Sequence, residues 1–222
     1  MAEPYTGISL GLICKWDEDP ALVRHYLRRT RLHFDQIHVV LDSDGDTAPL
    51  ERAIRQGLRP RDLARINLWT RPLDRDFAAQ RNYLASRNTS PWLLMLDADE
   101  YMLPRHLKKL RSLAANAARS IPGLQVIGFP RLNLVDGETV NTGPDYQFRL
   151  TRRLVRWVNT HPSAGAAPGC HECPSPVLDN QDTVLAVKNI PIIHDKQSAR
   201  LARHEALYDE PAKGPAAGPV VA

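Results

Sequence analysis

The stretch "WLLMLDADEYMLP", residues 92–104, decides how the chain is read. From Trp92 to Leu96 every residue is apolar, which suits a short strand covered on both faces, as in the interior of a parallel sheet. The run then ends in Asp97, Asp99 and Glu100, with Ala98 the one neutral residue among them. Desolvating one carboxylate is costly and a second beside it makes matters worse, so the three need water or a cation for company. A buried strand that delivers clustered negative charge at its carboxyl end predicts a site there.

Outward from this strand, apolar runs alternate with helical patterns. Towards the N-terminus "ISLGLIC" (8–14), "IHVVL" (37–41) and "INLW" (66–69) read as strands. Helices are predicted over 20–34, with Asp19 as N-cap and Pro20 in the first turn, over 49–56 closed by Gly57, over 77–87 and over 104–118. Strand, helix, strand, helix is the pattern of a parallel sheet wound by right-handed crossovers. Beyond residue 120 the regularity weakens. A strand over 124–134 is expected to be interrupted at Pro130, 146–158 to form a strand pair, 159–183 to be an irregular lobe, 184–195 to be extended and 198–209 to be helical.

In an open parallel α/β sheet, ligands bind beyond the carboxyl ends of the strands. Here those ends lead into "KWDED" (15–19), "DSDGD" (42–46), "TRPLDRD" (70–76) and "DADE" (97–100). One acidic loop is a solvated turn or a helix cap; four on one edge imply a shared site for cations, hydroxyls and amines. Arg71 and Arg81 stand close to this edge in the sequence and suit phosphate, so a diphosphate with a divalent cation is the natural occupant. Residues two apart in an extended chain point the same way, which places Asp97 and Asp99 on one hard cation, Mg²⁺ or Mn²⁺.

Composition narrows the classes further. A chain of 222 residues buries a sizeable core and is most simply one domain. Lys plus Arg number 29 against 25 Asp plus Glu, a net charge of +4, and arginine is scattered along the sequence with no run like a nucleic-acid tail. The first residues lack the basic start and long apolar centre of a secretory signal, and no window approaches a membrane span. Three cysteines do not suggest a disulfide framework, so a reduced, cytoplasmic protein is expected. Cys170, His171 and Cys173, with His161 nearby, have the C-x-x-C spacing of a zinc site but lack a second pair.

The segment "RNYLASRNTSPWLLMLDADEYMLP" resembles family 2 glycosyltransferases of the GT-A fold, in which an Arg-Asn helix precedes an apolar strand ending in a D-x-D-type metal motif. "VVLDSDGDTAPL" is similar to the family's second-strand stretch, and "PDYQFRLTRRLVRW" and "CHECP" to segments of the subgroup that adds single sugars. In the first loop Trp16 and Asp17 stand where Asn and Glu are usual.

The resemblance implies a Rossmann-like, mostly parallel sheet flanked by helices, with an irregular acceptor lobe. Residues 1–210 would form one domain, with 7–103 the nucleotide-sugar half and 104–210 the acceptor half, and 211–222 a disordered tail. It implies a metal-dependent, inverting transfer of one sugar from a nucleotide diphosphate sugar, expected to be a UDP-sugar, with retention as the mechanistic alternative. The acceptor would be a hydroxyl of a saccharide, a lipid, a protein or a hydroxymethylated base in DNA; the lack of a membrane-binding helix leans to a soluble acceptor, with DNA a rival. Asp42 would meet the nucleoside, Arg81 the diphosphate and Asp97 the nucleotide side, with Asp17 of the first loop a further donor-binding residue, while Asp99, Asp97 and His194 would hold Mn²⁺ or Mg²⁺. Glu172, in the His-Glu pair, is expected as the catalytic base with Asp145 as runner-up, since an inverting base must come from the acceptor lobe. A nucleotidyltransferase and an inactive nucleotide-sugar-binding module are the rival readings.

Overall fold

The computed structural model describes residues 7–74, 76–140, 145–159 and 172–196. The first half alternates as predicted: β1 (Ile8–Cys14), α1 (Pro20–Thr30), β2 (Ile37–Asp42), α2 (Ala48–Gly57), α3 (Pro60–Leu63), β3 (Ile66–Arg71), α4 (Phe77–Arg87) and β4 (Trp92–Asp97). The second half comprises β5 (Glu100–Tyr101), α5 (Pro104–Leu107), α6 (Leu110–Ser120), β6 (Val126–Val135), β7 (Glu138–Thr139), β8 (Asp145–Arg152), β9 (Trp157–Asn159), β10 (Glu172–Pro174), α7 (Ser175–Asp179), β11 (Val184–Ala186) and β12 (Ile192–Lys196). The helix expected over 198–209 and the tail lie outside the described residues.

The main sheet runs β3-β2-β1-β4-β8-β6-β12-β5, with β7 and β11 also on β6, while β9 and β10 form a separate ribbon. β1 to β4 are mutually parallel; β8 is antiparallel to both β4 and β6, and β12 returns parallel to β6. Alternate residues of the central strands feed opposite layers, as the two-residue period of a strand requires. Leu10, Leu12, Leu94 and Leu96 pack with Val23, Leu27, Leu50, Leu110 and Ala114 under α1, α2, α5 and α6. Leu93 and Met95 pack with Ala78 and Ala85 of α4 and with Trp157. Both faces of β4 are therefore covered, which is why its sequence is continuously apolar.

Local chemistry sets the ends. Asp19 caps α1 through Ala21 N–H at 2.8 Å, and Asp76 caps α4 through Ala79 N–H at 2.8 Å. After α4, Asn88 brackets Ser90, accepting from its N–H at 3.0 Å and donating to its carbonyl at 2.8 Å, and so turns the chain into β4.

Four expectations are corrected. β6 is not interrupted at Pro130: its pairing with β11 ends at Gly128 and that with β12 starts at Arg131, so the residue without an N–H falls at the joint between two partners. The irregularity lies between Ile127 and Phe129, at Gly128, where a Cβ would meet the Phe148 ring at 2.6 Å. The expected strand pair in 146–158 separates, β8 joining the main sheet and β9 pairing with β10. The helix predicted over 104–118 is split into α5 and α6, and the one over 20–34 stops at Thr30.

Candidate active site

The carboxyl ends of β1, β2 and β4 share one edge, and their acids do different work there. Asp17 is exposed in the loop after β1. Trp16 beside it lies across Gly45 of the loop after β2, so closely that a Cβ on Gly45 would meet the indole at 2.2 Å. Asp42 is buried, and its Oδ1 accepts from Asp44 N–H and Leu73 N–H, each at 3.0 Å. Burial, against these two hydrogen bonds and with the nearby Asp44 charge, leaves its carboxyl above the ordinary range. Asp42 thus ties the loops after β2 and β3 together.

At the end of β4 three carboxylates meet two arginines. Arg81 donates from Nη2 to Asp97 Oδ1 at 2.9 Å and from Nε to Glu172 Oε1 at 2.7 Å. Arg149 donates from Nη2 to Asp97 Oδ2 at 3.0 Å and Glu100 Oε1 at 2.9 Å, and from Nη1 to Glu172 Oε1 at 3.2 Å. The second Glu100 oxygen accepts from Asp97 N–H at 3.1 Å, closing the turn 97–100 on itself. Burial alone would raise the Asp97 carboxyl, but the two guanidinium groups outweigh it and hold it below the usual range. Glu100 goes the other way: burial, helped by the Asp97 and Asp99 charges, raises it despite Arg149. Three carboxylates against two arginines leave the fully ionised cluster one negative charge in excess.

Asp99, near enough for its charge to act on Asp97 and Glu100, makes a further contact of its own. β4 ends at Asp97 and the chain bends through Ala98 and Asp99 before β5, so the alternation expected to put Asp97 and Asp99 on one cation is broken. Asp99 Oδ2 instead lies 3.3 Å from His194 Nε2, brought there by the pairing of β12 with β5, in which His194 stands opposite Glu100. His194 Nδ1 is 2.9 Å from Asn133 Oδ1, an acceptor that pairs with an Nδ1 hydrogen and so orients the ring with Nε2 facing the carboxylate. Two electron-rich atoms at that separation call for a proton or a cation between them. An imidazole nitrogen and a carboxylate oxygen fit a divalent ion such as Mn²⁺ whose other positions go to ligand oxygens. Among the described residues no three His, Cys, Asp or Glu side chains are grouped to hold a metal by themselves.

Two more placements depart from expectation. Arg81, expected at the diphosphate, has a side chain with 0% exposure beneath Asp97, its Cζ 4.9 Å from the centre of the Trp157 ring. The neighbouring Asn82 exchanges two 2.8 Å hydrogen bonds with the Trp157 backbone, so the Arg-Asn pair docks the β9–β10 ribbon onto α4. Glu172, expected as a base in an open loop, sits on β10 with a side chain only 9% exposed and its Oε1 shared by both arginines. Asp145, at the start of β8, is 37% exposed and is held by Arg131 Nε and Gln147 Nε2, each at 2.8 Å. Of the zinc reading, His161, Cys170 and His171 lie outside the described residues, and the Cys173 thiol is pushed up to about 11 by burial and by the charge of Glu172.

Arg149 and Asn133 were not picked out from the sequence, and Glu100 was read there only as a member of the acidic cluster. An available signal for Arg149 was an arginine between Phe148 and Leu150 in a strand pattern, which demands a buried acid, while the cluster at 97–100 supplied an excess of acids. Arg149→Met is expected to leave three clustered carboxylates, of which Glu100 is fully buried, facing one arginine and to cost about 3–5 kcal/mol, because removing one partner strands the others. Thermal unfolding followed by circular dichroism should show a fall of roughly 6–20 °C; an unchanged midpoint would show that the network is not holding the turn.

The family model "Glycosyl transferase family 2" matches residues 18–171. No curated protein matches the chain. Among solved structures, S. aureus TarS aligns with a TM-score of 0.54 at 12% identity over 90% of this chain and 38% of that one. TarS 1-349 in complex with UDP-GlcNAc aligns at 0.54 and 12% over 86% and 58%. Glucosyl-3-phosphoglycerate synthase from Mycobacterium tuberculosis, in complex with Mn2+, UDP and glucosyl-3-phosphoglycerate, aligns at 0.54 and 12% over 91% and 76%. These likenesses show a shared GT-A fold, and the chain spans between 38% and 65% of the TarS chains.

Proposed function

Because the chain belongs to glycosyl transferase family 2 and is thereby a glycosyltransferase, we propose that it transfers a single sugar from a UDP-sugar to a hydroxyl acceptor with inversion, assisted by a divalent cation. The observation that carries this reading is the meeting of Asp99 and His194, 95 residues apart in sequence, at the carboxyl edge of the sheet. A UDP-linked donor takes its support from the similar folds that hold UDP-GlcNAc or UDP.

Asp99 and His194 would hold Mn²⁺ or Mg²⁺, and the ion would offset the charge that develops on the departing diphosphate. Asp97, tethered by Arg81 and Arg149, keeps the turn that carries Asp99 in place and presents the nucleotide side of the site. Trp16 and Asp17 stand at the end of the edge where the nucleoside would lie, and Asp42 fixes the loops that surround it. Asp145 is the better-placed base. In the antiparallel pairing of β8 with β4, Leu94 faces Leu150, so the chain before Leu150 runs toward the edge reached by Asp97. Asp145 thus lies toward that edge, paired with one arginine and 37% exposed, which supports it as the base over Glu172, 9% exposed and shared by two arginines. This reverses the order expected from the sequence.

The reading is tested by incubating the protein with UDP-sugars and Mn²⁺ and following UDP release to water, a side reaction expected of a live enzyme. Release that stops in EDTA supports it. No release from any nucleotide diphosphate sugar would leave the inactive binding module as the better account, and release that persists undiminished in EDTA would remove the metal.

A further inference from the structure

Arginines that are scattered along the sequence are gathered in space. The helices α1, α2, α3, α5 and α6 cover one face of the sheet, where Leu27, Leu50, Leu107, Leu110 and Ala114 enter the same core and Leu63 packs against it. Residues 20–31, 48–65 and 104–120, which form this layer, contain fourteen Arg and Lys but only two acids, Glu51 and Asp62, a formal charge of +12. Since the whole chain carries +4, everything else carries −8. The molecule is strongly polarised between a basic helical face and an acidic remainder, which includes the ligand edge.

The two acids of the layer do little to neutralise its outer surface. Asp62 is buried and taken by Arg31 and Arg59, each at 2.9 Å, while Glu51 accepts from Thr47 at 3.2 Å. Arg28 and Arg29 on α1, Arg52 and Arg55 on α2, and Lys108 and Lys109 between α5 and α6 are exposed and have no carboxylate partner among the described residues. The crowding is felt by the imidazoles beneath: burial first, and then Arg105 and Lys109, lower His106, as burial and Lys108 lower His33.

We propose that this helical face docks on an anionic phospholipid bilayer. A broad layer of helices bearing guanidinium and ammonium groups suits a sheet of phosphate headgroups, where each basic residue near the surface adds to the attraction. Leu22 near the start of α1 is 41% exposed and Leu32 just beyond its end is 69% exposed, so apolar side chains accompany the charge, as at an interfacial surface. Tyr26 of α1 is buried, so its ring is not offered for stacking on bases. Docking by this face leaves the carboxyl edge of the sheet uncovered.

The test uses the full chain and flotation with vesicles of phosphatidylcholine alone or mixed with phosphatidylglycerol. Binding is expected to the mixed vesicles only, and to weaken steeply as salt rises from about 0.1 to 1 M, over which the screening length falls from about 10 to about 3 Å. The combined change Arg29→Glu, Arg52→Glu, Arg55→Glu and Lys109→Glu should lower partition at least about tenfold. Should that variant not fold, the same four positions changed to Gln should still reduce it severalfold at an unchanged melting midpoint. Equal binding to neutral vesicles, or partition untouched in a folded variant, overturns the proposal. Release from the vesicles by a short DNA duplex at equal phosphate concentration also overturns it and assigns the face to nucleic acid.

Discussion

Asp99→Asn is expected to lower sugar transfer by at least about 10³-fold, several kcal/mol of lost stabilisation on the leaving diphosphate, with little change in melting temperature. The amide keeps the size of the side chain but offers a hard cation a neutral oxygen in place of an anionic one. The fold should not suffer, because the backbone holds the position: Asp195 N–H donates to the Asp99 carbonyl at 3.1 Å and β5 stays paired with β12. His194→Ala should act in the same direction, and calorimetry with Mn²⁺ and UDP should show weakened cation binding in both variants. Transfer by Asp99→Asn at the wild-type rate would remove Asp99 from the metal and leave its contact with His194 a structural one.

The sequence reading of this site succeeded where short-range rules apply and failed where distant segments choose partners. Trp92–Leu96 could be read as a doubly covered strand because the apolar run is itself the imprint of two packed layers. The acids at 97–100 could be read as a site because clustered charge has few cheap explanations. What each acid touches was not legible. The alternation that would have paired Asp97 with Asp99 holds only while the chain remains a strand, and it ends at Asp97. Arg81 was placed at the diphosphate because it stands one helix before the acids, yet which way it faces is fixed by Glu172, 91 residues away, and by the Trp157 ring. His194 was named as a metal ligand, but the orienting partner Asn133 depends on the parallel register of β12 on β6, which no local pattern encodes. Pro130 misled for a related reason, since a strand with two successive partners has a joint at which proline is harmless.

The catalytic base separates two carboxylates that the sequence placed in the same lobe. Asp145→Asn is expected to lower turnover by about 10²–10⁴-fold, the usual worth of a general base, with donor affinity and melting temperature nearly unchanged. Its side chain is 37% exposed and is oriented by Gln147 and Arg131, which would leave it accessible to the acceptor hydroxyl of the proposed reaction. Glu172→Gln should behave differently. Its Oε1 takes hydrogen bonds from both buried arginines at 2.7 and 3.2 Å, and the neutral amide leaves those charges under-compensated. The cost should be about 3–5 kcal/mol of stability, with activity lost in proportion to the protein that unfolds or to a loosened 97–100 turn. Measuring melting temperature, donor affinity and turnover on both variants decides between them. If Glu172→Gln melts like wild type and binds donor normally yet is inactive, while Asp145→Asn turns over within a few-fold of wild type, the base is Glu172, and the arginines that grip it in this structure must release it when acceptor binds.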